Sequence, residues 1–242
     1  MTRPVANPAT LPYAPRWPRL ARLRRRLARN TSGVAMVEFA FTAPIILSMG
    51  LLGAETAFFA VMHLRVSQVA MQVADNASRI GEMDLLATRR VFERDVNEVL
   101  VGAERYGANF GLYQNGRVIL SSLQRNDSGG QNIRWQRCRG AKVFNSSFGV
   151  EGAGATGTSF PGMGPANNRI TAAAGTAVMF VEVAYDYQPL TPFSAFGNRE
   201  IRYTAAFNIR DNRDLSGAGI SNTTNPASPV ARCNVYSANR PV

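Results

Sequence analysis

Between Val34 and Met62 only Glu38, Thr42, Ser48, Glu55 and Thr56 interrupt a run of apolar or small residues. A helix of about 21 residues starting at Val34 rises about 31 Å, enough to cross the hydrocarbon core of a bilayer. Beyond Met62 the pattern becomes amphipathic. Val66, Val69, Ala70, Val73, Ala77 and Ile80 follow three-four spacing, while Arg65, Gln68, Gln72, Asp75 and Arg79 take the other faces. The spacing predicts one helix from about residue 35 to 80, with Pro44 as the place for a bend and Gly81 as a stop. A second helix is predicted over about 84–102. Asp84 is its N-cap, and Val91, Phe92, Val96, Val99 and Leu100 form its apolar stripe.

Period-two patterns follow. In FGLYQNGRVILSSL (110–123) Asn115-Gly116 separates two β-prone runs, a short-range hairpin signal. QRNDSGGQNIRWQR (124–137) predicts a second turn and a strand near 132–138. Residues 145–169, rich in Gly, Ser and Asn, predict a long loop. TAVMFVEVAYDY (176–187) is the strongest strand, with Phe180 and its neighbours half-buried, and REIRYTAAFNIR (199–210) pairs with it through QPLTPFSAFGN. The tail from about 212 is irregular and pinned at Cys233. The sum is an α+β fold, a long N-terminal helix packed on an antiparallel β-sheet head.

Charge changes this picture at one end. The net charge of +11 invites a nucleic-acid partner, but eight of the 27 basic residues lie before Gly33 (Arg3, Arg16, Arg19, Arg22, Arg24, Arg25, Arg26, Arg29) with no acid among them. The other 19 are nearly balanced by all 16 acids. The basic patch therefore reads as a topology signal and not as a phosphate-binding face. It places the N-terminus in the cytoplasm and the C-terminal bulk outside. Residues 1–23, with five prolines and no acid, read as an extended, disordered tail. Three segments result: a basic cytoplasmic leader (1–33), a transmembrane helix (34–60) and a periplasmic α+β domain (61–242) of a single-pass protein.

Chemistry is sparse. One histidine, His63, and two cysteines, Cys138 and Cys233, leave little for a metal site, and no cofactor is expected. No Gly-x-Ser-x-Gly turn and no phosphate loop after a strand appears, so neither an enzyme nor a small-molecule substrate is expected. GAGATG (152–157) lacks a strand-to-helix context, and Asp211 and Asp214 of RDNRD read as a solvated turn. Cys138 and Cys233 sit in polar surroundings. Outside the cytoplasm they are disulfide candidates, closing a loop that contributes about 4–5 kcal/mol, with two buried thiols as the alternative.

Arg24–Glu38 reads RRRLARNTSGVAMVE: a cationic run, Gly33, four apolar residues, then Glu38 and Phe39. This resembles the processing site of type IV prepilin-like proteins, where a membrane aspartyl peptidase cuts after the glycine. SGVAMVEFAFTAPIILSMGLLGAE (32–55) is similar to the N-terminal signature of the TadE-like family, minor pseudopilins of the Tad (Flp) pilus machinery. VEVAYDYQPLTPF (181–193) resembles a segment near the C-terminal end of that family. The resemblance implies a pilus assembly protein of the inner membrane, cut between Gly33 and Val34. Its partners would be the prepilin peptidase, other pseudopilins and pilus assembly proteins, and inner-membrane lipids. Glu38 would serve recognition or subunit register, and Phe39, Pro44 and Glu55 would be membrane or assembly residues.

A carboxylate inside hydrocarbon costs a few kcal/mol and needs a partner. Cutting before Val34 creates an ammonium one helical turn from Glu38. The plainer alternatives are a snorkelling Glu38, a flexible helix start at Gly33, a tolerated break at Pro44 and an interfacial charge at Glu55. Larger relatives carry a metal site of the form Asp-x-Ser-x-Ser, which NDSGG (126–130) does not match. Many smaller relatives have a cysteine pair at or just after the second helix, and 84–104 holds none. Two rival readings are an uncleaved single-pass anchor bearing a periplasmic binding domain, and a secreted protein with a twin-arginine leader.

Overall fold

The computed structural model describes residues 18–29, 32–81, 88–192, 196–197, 199–223 and 227–241. The chain divides into two compact units, Met1–Gly53 and Ala54–Val242. The element order is α1 (Pro18–Arg29), α2 (Ser32–Arg79), α3 (Glu93–Gly107), a 3-10 turn (Ala108–Phe110), α4 (Leu112–Asn115), β1 (Gly116–Arg125), β2 (Gln131–Arg139), β3 (Ala177–Asp186) and β4 (Glu200–Asn208). The α+β expectation holds: the four strands form one antiparallel sheet in the order β2-β1-β3-β4.

α2 is a single helix, as its periodicity predicts. From Glu55 onward it buries Met62, Val66, Val69, Ala70, Val73, Ala74 and Ala77, one continuous stripe. That stripe packs on Val118 and Leu120 of β1, the odd-numbered residues 177–187 on and just beyond β3, and Ile201 of β4. α3 closes the same layer with Val96, Val99, Leu100 and Ala103. Each large side chain so enclosed contributes roughly 1.5–3 kcal/mol against its exposed state.

The opposite face of the sheet is covered too, which corrects the half-buried reading of Phe180. That residue is 1% exposed, and nine of the ten β3 positions are buried. The cover is the glycine-rich segment between β2 and β3. Its Phe148, Phe160, Met163, Ile170 and Ala172 pack on Leu123, Ile133, Val178 and Phe180. A bulge in the β1–β2 register makes Leu123 face Ile133 while Ser122 faces Trp135. One extra residue thus sends Ile133 to the loop side and Trp135 to the helix side.

Three local expectations are corrected. Asn115-Gly116 is not a hairpin turn: Asn115 ends α4 and Gly116 opens β1 with extended backbone (φ −148°). A type I′ turn needs positive φ at both central residues. Gly116 is needed for closeness instead, since a Cβ there would lie 2.6 Å from the Leu112 carbonyl oxygen and 2.8 Å from that of Ala184. The hairpin turn falls at Asn126–Gly130, where Asn126 caps the loop by accepting from the Gly130 N–H.

The second helix begins at Glu93, not near 84, and its cap is an Asp95 carboxylate oxygen accepting from the Phe92 N–H at 2.9 Å. Arg89–Phe92 is held extended by backbone bonds to Asn212, Asp214 and Ser221. The expected cap, Asp84, lies outside the described residues. Finally, Pro18–Arg29 is helical, and its residues 18–23 belong to the segment 1–23 that was expected to be a disordered tail. Residues 1–17 of that tail lie outside the described residues.

Candidate membrane and processing site

The first unit carries the residues on which the processing reading rests. Along α2 every described side chain from Gly33 to Ala54 is exposed except the half-buried Ala43. Val34 (59%), Phe39 (69%), Phe41 (73%), Ile46 (67%) and Met49 (70%) are exposed apolar groups. α2 is long and apolar enough to cross a membrane, and its apolar part lies near the N-terminus. Its hydroxyls are taken up locally: Thr42 Oγ1 donates to the Glu38 carbonyl at 2.8 Å and Ser48 Oγ to the Pro44 carbonyl at 2.6 Å. No polar side chain between them is left to demand water.

Glu38 is exposed on this helix, and among the described residues nothing bonds its carboxylate. Gly33 is helical, and a Cβ there would meet nothing within 4 Å. Packing among the described residues therefore sets no requirement for glycine at this position.

The second unit holds a different kind of glutamate. Glu55 is 2% exposed. Its Oε1 accepts from the Tyr187 hydroxyl at 2.7 Å and its Oε2 from the Leu190 N–H at 3.2 Å. Burial, together with the hydrogen bond to Glu55, pushes the Tyr187 phenol above its ordinary pKa, which keeps it a donor. Aromatic rings enclose the pair. Phe59 lies edge-on to Tyr187 (4.9 Å between centroids), stacks on Phe196 (4.9 Å) and meets His63 edge-on (4.6 Å). His63 Nδ1 is 3.2 Å from the Tyr203 hydroxyl. Glu55, expected among membrane or assembly residues, thus has its carboxylate engaged inside the head.

Cys138 and Cys233 form a disulfide across 95 residues. Arg117, fully buried, donates to the carbonyls of Gly140 (3.0 Å), Cys233 (2.6 Å) and Val235 (3.0 Å), and stacks on Tyr236. Burial lowers its pKa. A cleft of about 370 Å³ opens beside the disulfide, lined by Arg139, Arg232 and Arg240 among others. Two of these guanidiniums are paired with Glu104, so the cleft is no open anion cradle. Asp211 pairs with Arg89, and Asp214 is bonded by Ser216, which lowers its pKa. Among the described residues no three His, Cys, Asp or Glu side chains are grouped to hold a metal.

Sequence reasoning missed Tyr187, Arg117 and the buried Glu93–Arg137 pair (2.5 Å). Arg117 and Arg137 each left a trace, an arginine inside a predicted strand. Compared with protein-family models, with curated proteins and with solved structures, the chain finds no match in any of the three.

Proposed function

We propose that the protein is a minor pseudopilin or pilus assembly protein of the Tad (Flp) type, processed between Gly33 and Val34 by a prepilin peptidase. In this reading the apolar half of α2 crosses the inner membrane once. The N-terminus lies in the cytoplasm, and the α+β head lies in the periplasm, where it meets other pseudopilins. The observation that carries the proposal is the pair Gly33 and Glu38: a glycine that no packing among the described residues requires, five residues before a carboxylate with no partner among them, on a largely apolar, exposed stretch of helix. Cleavage supplies the missing partner, because an ammonium at Val34 shares a helix face with Glu38 at i, i+4. The head adds support. The two stretches that resemble the TadE-like family, 32–55 and 181–193, meet in the Glu55–Tyr187 hydrogen bond.

The test is the N-terminus of the membrane-extracted protein, by intact mass, with and without the cognate peptidase. A start at Val34 that depends on the peptidase is expected, and a start at Met1 or Thr2 overturns the proposal. The second reading, an uncleaved anchor with a periplasmic binding domain, is favoured by α1, since a helix ahead of Gly33 gives the leader a structure of its own.

A further inference from the structure

α1 is the element that neither the topology signal nor the processing site explains. A positive-inside signal needs only charge, and a peptidase substrate needs only an accessible cut. Yet PRLARLRRRLAR forms a helix of 12 residues. In water such a helix is marginal by length alone. This one is worse placed than most. It contains no acid, and it sets like charges at i, i+4 in Arg22/Arg26 and Arg25/Arg29, each pair destabilising. Nor does packing offset this: every described side chain from Arg22 to Arg29 is exposed, including Leu23 (57%) and Leu27 (68%).

The arrangement of these side chains specifies the missing partner. Leu23 and Leu27 are one turn apart on one face, flanked by Arg24 and Arg26 and backed by Arg22, Arg25 and Arg29. Whatever receives this face must be apolar where the leucines enter and anionic on both sides. We infer that α1 lies in the plane of an anionic bilayer surface, with its leucines at the acyl boundary and its arginines among the headgroup phosphates. The chain keeps it there. Four residues carry the chain from Arg29 to Gly33, at most about 14 Å of extended backbone, so a bilayer taking up the apolar half of α2 holds α1 at its surface. A nucleic acid would use the arginines and leave the leucines without a role. Lipid binding of α1 and cleavage at Gly33 are separate properties, since the uncut chain has the whole of α1.

The test uses the full chain, produced without peptidase and reconstituted in vesicles of phosphatidylcholine alone or with phosphatidylglycerol. Single fluorophores are attached to cysteines introduced one at a time across 22–29, the native pair being oxidised. In the anionic vesicles, labels from Leu23→Cys and Leu27→Cys are expected to be several-fold less accessible to an aqueous quencher than those from Arg22→Cys, Arg25→Cys and Arg29→Cys. The contrast should vanish in phosphatidylcholine, and also when Arg24, Arg26 and Arg29 become Gln. Uniform accessibility in the anionic vesicles overturns the inference. So does equal protection in both lipids, or protection that appears only when duplex DNA is added.

A second measurement needs no added thiol. Brominated anionic lipid should quench Leu27→Trp several-fold more than Arg25→Trp, and equal quenching overturns the inference. The N-terminal mass of a parallel sample produced with the cognate peptidase reports cleavage independently, so failure of the processing reading and failure of this one are distinguishable.

Discussion

Glu38 and Glu55 lie on the same helix, 17 residues apart, and share nothing else. Glu38 sits among exposed apolar side chains and has no partner among the described residues, whereas Glu55 is 2% exposed and accepts from Tyr187 and Leu190. The contrast extends to the two parts of α2. In the stretch 33–53 the described apolar side chains are exposed apart from the half-buried Ala43, and in the stretch from Glu55 they form the stripe against the sheet. One helix therefore carries apolar surface of two kinds, one enclosed by the sheet and one left exposed. A buried carboxylate is tolerated where donors are fixed around it. The other has no donor among the described residues, and a processed N-terminus is the donor proposed.

The largest effect expected is confined to the head. Replacing Cys138 and Cys233 together by alanine removes a cross-link over 95 residues. That should cost about 4–5 kcal/mol on the chain-entropy account, read from denaturant unfolding in detergent, with retention of the protein in membranes unchanged. Next comes the comparison of the two glutamates. Glu55→Ala leaves the Tyr187 hydroxyl and the Leu190 N–H unpaired and should destabilise the head by about 1.5–3 kcal/mol. Glu38→Ala should move head stability by less than about 0.5 kcal/mol. Equal losses from the two would break the distinction.

Gly33→Ala sharpens it from the other side. Open space around Gly33 and its helical backbone mean that alanine should favour the helix by roughly 0.5–1 kcal/mol, while the proposed cut is lost. A Gly33→Ala chain that still starts at Val34 would count against the peptidase reading.

The smallest effects are titrations within the head. Burial raises the pKa of Glu182, against the opposing bonds from Ser146 and Ser147. Its contribution is therefore full below the ordinary value of 4.5 and is lost as pH rises through the folded value. The bonds from Ser216 lower the pKa of Asp214, whose contribution is present above 3.8 and lost as pH falls through the folded value. Measured against pH, the stability difference between wild type and Glu182→Gln should shrink toward neutral pH. That between wild type and Asp214→Asn should shrink toward acid.

Much of the fold was legible because it rests on patterns repeated within one element. The stripe from Val66 to Ala77, the strands at 132–138, 176–187 and 199–210, and the pinning of the tail at Cys233 all appear in the structure. The failures have one cause in common, a distant segment overriding a local signal. Arg89–Phe92 is extended because residues 212–221 pair with it. Phe180 is buried because the segment between β2 and β3, of which 145–169 was legible only as a loop, covers a whole sheet face. Asn115-Gly116 carries a hairpin signal, yet Gly116 sits in the sheet against the Ala184 carbonyl.

By itself the sequence determined that α2 has a long apolar part, because hydropathy summed along one helix is a local property. It determined the alternation of the strands for the same reason, and the separation of a basic leader from a nearly neutral remainder. Only the tertiary structure decided which glutamate of α2 is an internal one. Tyr187 and Leu190 lie more than 130 positions from Glu55 in the chain, and only the pairing of β3 and the packing of α2 against it bring their donors to its carboxylate.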